Sequence, residues 1–189
     1  MKKLEEFYTK SQNKIQKKLS GEKVAEALRK NRVYKKLKIK HKLLIKKSNF
    51  LVISSSEKGK YPDCSIKCGL PGFVKVINFT TLRWEDLDGN RMYRTLGNIA
   101  GNNKVSLLFV DFEKPEKKEK TDKPTKLRIL GISNIIHIKG KRFINIKISY
   151  VFPNCPRYLP NFKLISPSSY LLRKKIPIWK KRSYIKKLL

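Results

Sequence analysis

From Phe50 onward the chain is written in short β-rich runs separated by turn residues, and this grammar restricts the fold more than any other feature. Phe50–Ser54 and Asp63–Cys68 flank a turn at Glu57–Lys60 and read as a hairpin. Leu70, Pro71 and Gly72 interrupt the pattern. Phe73–Ile77 and Thr81–Trp84 then form a second pair around Asn78–Thr80. Lys104–Asp111 is a continuous apolar strand suited to the barrel centre, and Leu127–Lys139 and Lys141–Phe152 are two long strands meeting at Gly140. The count is seven strands. The two hairpins make the first four of these antiparallel.

One helix interrupts the strands. Between residues 90 and 101, Met92, Leu96 and Ile99 recur at helical spacing, with Arg91, Thr95 and Asn98 on adjoining faces. Glu113–Lys126 holds Pro115, Pro124 and dense charge, and is expected to be an exposed hairpin loop. Before the strands, residues 3–47 space Leu4, Phe7, Ile15, Leu19, Val24 and Leu28 like two helices, broken near Ser20 and Gly21 with Ser20 capping the second. The expected organisation is a basic helical extension over 1–47, a β-barrel domain over 48–162, and a basic tail over 163–189 that packs on the barrel.

The charge needs placing before it is interpreted. Of the +32 total, residues 1–47 contribute 17 basic against 4 acidic residues, and residues 163–189 contribute 9 basic and none acidic. A Lys-rich residue usage at tolerant surface positions accounts for this without a function. A contact with nucleic acid, an anionic surface or an acidic protein is the functional alternative. Three cysteines, Cys64, Cys68 and Cys155, are too few and odd in number for a disulfide framework, and with only His41 and His137 beside them they make no four-ligand zinc set. Reduced thiols are expected, and both histidines read as surface or strand residues rather than catalytic bases. No run of 18 or more apolar residues occurs, so the chain is expected to be soluble and cytoplasmic.

Five ordered blocks carry a family resemblance: Lys67–Val76, Asp88–Ile99 with its Gly89, Asn90 and Arg91, Asn103–Phe112, Leu127–Gly131, and Val151–Tyr158. Together they resemble the pyridoxamine 5′-phosphate oxidase-like flavoproteins, particularly the bacterial FMN-binding subgroup. Ser166–Tyr170 and Pro177–Arg182 extend the likeness weakly into the tail, whereas Cys68–Gly72 departs from the subgroup's usual turn. The resemblance implies a mainly β (α+β) fold, an antiparallel split β-barrel with a short helix after the fourth strand. It also implies FMN as cofactor, flavin-dependent oxidoreduction of an unidentified small molecule, and a homodimer with flavin at the interface.

Within that frame Asn90 is expected to cap the helix, turning the following amides, the Arg91 fork and the Thr95 hydroxyl toward the phosphate, with Asn98 as a further amide. Asn90 and Arg91 closing a turn against Asp86 or Asp88 is the plainer alternative. Lys67 and Lys75 flank the Leu70–Gly72 turn and either reach the phosphate or the N1/O2 edge of the ring, or are solvated. Gly69 and Gly72 permit close backbone approach, which ordinary turn chemistry would also use. Trp84 is assigned to the core. Arg157 and Tyr158 either reach the partner's flavin or form a structural plug.

Overall fold

The computed structural model describes residues 7–87, 89–112, 125–155, 157–172 and 176–188, in two compact units numbered 1–34 and 35–189. In the first, α1 (Lys10–Lys18) opens on a capping box: the Gln12 amide donates to Thr9 Oγ1 at 3.2 Å and the Thr9 amide to Gln12 Oε1 at 2.9 Å. Ser20 does not cap the next helix. It sits at φ 54, its amide donates to Lys17 O and the Gly21 amide to Gln16 O, the bonding of a helix-terminating Schellman motif. Ser20 is thus consumed in ending α1, and α2 (Glu22–Arg32) starts from Gly21 with no side-chain cap.

In α2 Glu26 accepts two hydrogen bonds from Arg29, at 2.6 and 2.7 Å, with Lys30 alongside. These bonds hold its carboxyl down at about 2, below its ordinary 4.5. A depressed carboxyl stabilises the folded form above its unfolded value and loses that contribution as pH falls. The α2 helical signal, followed by NMR, is therefore expected to weaken between pH 4.5 and about 2.

The second unit begins with a helix that the sequence pattern does not separate from its predecessor. Three helices, not two, precede the strands: α3 (Ile39–Lys47) buries His41, Leu44 and Ile45. It belongs to the unit of residues 35–189. His41 is not at the surface; it is 2% exposed, and its Nδ1 accepts the Lys38 amide. His137 is an exposed strand residue, as expected.

All seven expected strands form: β1 (Phe50–Ser55), β2 (Asp63–Cys68), β3 (Lys75–Asn78), β4 (Thr81–Glu85), β5 (Lys104–Val110), β6 (Lys126–Ile138) and β7 (Lys141–Pro153). Between β4 and β5 lies the expected short helix, α4 (Arg94–Gly101). The loop expected over Glu113–Lys126 falls largely on residues 113–124, which lie outside the described residues. The strands make one antiparallel sheet in the order β2-β1-β5-β6-β7-β4-β3.

Alternation puts one face of the sheet in the core. Leu51, Ile53, Leu82, Trp84, Leu107, Phe109, Leu127, Ile129, Ile144 and Ile146 are all buried and come from both halves of the sheet, which curves around them. Among the described residues the edge strands β2 and β3 do not pair, so the barrel is split rather than closed. β6 and β7 turn over Lys139 and Gly140, both in the left-handed region at φ 48 and 72, as a tight two-residue hairpin requires.

Farther along, their register shifts between Leu130 and Gly131, a bulge that lets two 13-residue strands bend. A Cβ at Gly131 would lie 2.7 Å from the Lys147 carbonyl oxygen, so backbone proximity demands glycine there. Among the described residues after β7 there are short helical turns: α5 (Ser169–Leu172), a 3-10 turn (Ile178–Lys181) and α6 (Ser183–Lys186). No helix among the described residues is long and apolar enough to cross a membrane.

Candidate functional site

Residues 86, 87 and 89–93, between β4 and α4, line a cleft of about 230 Å³ together with residues of the edge strand β2. Both walls are pinned by ion pairs. Arg142, at the start of β7, donates to Asp86 Oδ2 at 2.8 Å, while the Asp86 amide returns a bond to the Arg142 carbonyl. Arg94 donates to Asp63 of β2 at 3.1 Å. The Arg142 guanidinium also faces the Tyr93 ring at 5.3 Å, a cation–π contact.

The expected helix start needs correction. Asn90 does not cap α4: its Oδ1 accepts the Met92 amide at 3.1 Å, closing a local turn, and α4 begins four residues later at Arg94. The cause lies in the backbone, because Arg91 and Tyr93 occupy the left-handed region at φ 60 and 51, which no helix can include. Two such non-glycine residues within three positions are uncommon, and strained backbone of this kind concentrates at ligand sites. The first intrahelical bond runs from the Gly97 amide to Tyr93 O at 2.8 Å, leaving the amides of Arg94, Thr95 and Leu96 without helical acceptors.

Lys67, Asn90, Arg91 and Thr95 are brought together here, Thr95 being nearly buried in the first turn of α4. Asp86 pairs with Arg142, so it does not hold Arg91; Asp88 lies outside the described residues. Among the described residues neither Lys67 nor Arg91 has an ion pair. Among the described residues four cations and two carboxylates thus line the cleft, and two of those cations have no carboxylate partner. Leu87, Met92 and Tyr93 add half-exposed apolar surface at the rim.

The other expected residues lie elsewhere. Asn98 donates to Ser55 O and Oγ at 3.3 and 3.2 Å, tying α4 to β1 rather than lining the cleft. Asn98→Ala is expected to lower stability by about 1 kcal/mol in denaturant unfolding, since it strands a buried acceptor. Gly69 packs against Phe73, where a Cβ would come within 2.3 Å of that side chain, and Gly72 supplies the φ of +82 that the turn needs. Lys75 is exposed on β3, the edge opposite β2. Arg157 and Tyr158 are exposed and contact each other, with Arg157 Cζ 6.0 Å from the Tyr158 ring.

Asp63, Arg94 and Arg142 belong to the site without having been singled out in the sequence. Arg94 lies within the same conspicuous segment, but its pairing with β2 depends on the fold, and Arg142 carries no local motif at all. The thiols are free and exposed, and burial pushes that of Cys68 upward.

No family model and no curated protein matches the chain. Solved structures are similar to it at low sequence identity. HupZ of Group A Streptococcus has 15% identity and a TM-score of 0.45, covering 67% of this chain and 99% of that one. A general stress protein 26-related member of the pyridoxinephosphate oxidase family from Clostridium acetobutylicum has 14% identity and a TM-score of 0.39, covering 61% and 92%. A putative flavin reductase with a split barrel domain from Shewanella frigidimarina has 13% identity and a TM-score of 0.41, covering 62% and 75%.

Proposed function

We propose that the chain is an FMN-binding flavoprotein whose cleft holds the phosphate of the cofactor, and that it serves as a flavin-dependent oxidoreductase. The observation that supports this reading is the donor set: Lys67 and Arg91, two cations without an ion pair among the described residues, beside first-turn amides of α4 that have no helical acceptor. A phosphate monoester near −2 matches two fixed positive charges, and helix-start amides favour it further. Arg91 offers a fork for two oxygens, whereas Lys67 offers a point charge.

The residues present fit such a group on both counts, charge and surface. Asp63 and Asp86 hold Arg94 and Arg142 in place, so the cleft keeps its shape while Lys67 and Arg91 remain available. Leu87, Met92 and Tyr93 supply apolar area for a flat ring. When bound, the flavin would supply the electron-transfer chemistry, and the chain would contribute binding and orientation.

The visible spectrum of purified protein, before and after addition of FMN and gel filtration, tests this reading. Bands of bound flavin are expected in at least the FMN-treated sample. A protein that remains colourless after treatment would refute it.

A further inference from the structure

We infer that residues 157–172 and 176–188 form a docking surface for a lipid bilayer bearing anionic headgroups. This inference is independent of the flavin reading and rests on charge and exposure beyond β7.

The chain has no Asp or Glu after Asp122, and residues 163–189 hold nine Lys or Arg. Among these cations the segment exposes large aliphatic side chains. Ile165 is 97% exposed, Ile178 73% and Leu188 78%, with Ile176 and Leu172 also open. Trp179 lies under the ammonium of Lys180 at 5.5 Å, and Arg182 donates to the Tyr184 hydroxyl at 2.9 Å. Aliphatic, aromatic and basic side chains are therefore interspersed along the segment.

The occupant must be anionic and must also reward aliphatic burial. A second copy of this chain offers poor charge compensation: it carries +32 itself, and Glu26, Asp63, Glu85, Asp86 and Asp111 already hold Lys or Arg partners. Single-stranded nucleic acid satisfies cations and stacks on aromatics, but it offers nothing to Ile165, Ile176 or Ile178. An anionic bilayer accommodates all three classes. Apolar side chains enter the acyl boundary, Trp and Tyr sit at headgroup level, and Lys stems reach back to the phosphates.

The test is co-sedimentation of the full chain with vesicles of phosphatidylcholine alone or mixed with phosphatidylglycerol, together with quenching of tryptophan by brominated acyl chains. Trp84 is sealed in the core, so quenching reports Trp179. Binding to the mixed vesicles, quenching, and little binding to phosphatidylcholine are expected. The pair Ile176→Glu with Ile178→Glu, and the triple Lys180→Glu, Lys181→Glu, Arg182→Glu, should each weaken that binding roughly tenfold or more. All these positions lie outside the core, and circular dichroism should show both variants folded.

Equal binding to both vesicle types would overturn the inference, as would retention of full binding by either variant. Binding to single-stranded RNA that the isoleucine pair leaves unchanged, in a protein that ignores the vesicles, would reassign the surface to nucleic acid. Lipid-independent self-association abolished by the same pair would reassign it to a second copy.

Discussion

Replacing Arg91 with alanine is expected to weaken FMN binding by about 10- to 100-fold, the effect of removing charge-assisted hydrogen bonds to a phosphate. The side chain is exposed and without an ion pair among the described residues, so its removal leaves no buried charge behind. The melting temperature in the absence of flavin should accordingly remain near that of the parent chain. Arg91→Lys should recover only part of the affinity, because an ammonium keeps the charge but not the fork. Flavin fluorescence quenching gives the affinities directly. An Arg91→Ala protein that binds FMN as tightly as the parent would remove this residue from the site.

The largest effect on stability is expected at Trp84. It is 2% exposed, pairs with Ile144 across β4 and β7, and is among the largest side chains fully enclosed in the core. Trp84→Ala should cost about 3–5 kcal/mol through lost burial and an unfilled cavity. Trp84→Phe should cost much less than that. The indole N–H is buried and has no hydrogen-bond partner among the described residues, so phenylalanine removes an unsatisfied donor while keeping most of the apolar area. Chemical denaturation of the two variants measures the difference, and equal losses would contradict this account of the indole.

The strands were legible because their signals are local. Period-two alternation and the turn residues between runs place all seven, and β2 spans the Asp63–Cys68 run read from sequence. The helices were less so. Nothing like Gly or Pro separates α2 from α3, and Ser20, a plausible cap by residue type, is used to terminate α1. The site was half legible for the same reason. Lys67, Asn90, Arg91 and Thr95 meet in one cleft, but the left-handed backbone at Arg91 and Tyr93 that delays α4 belongs to tertiary context. Arg142 reaches the cleft only through antiparallel pairing from β7, and Asp63 through the position of β2 at the sheet edge. Such partners are set by register across dozens of residues, which no local motif encodes.

The claim that the cleft is a phosphate site is tested most directly by titrating the flavin-free protein with FMN and with riboflavin, which has the same ring and ribityl chain without the phosphate. The account predicts FMN binding at least about tenfold tighter than riboflavin, with Arg91→Ala narrowing the gap. Equal affinities for the two, unaltered by Arg91→Ala, would contradict it.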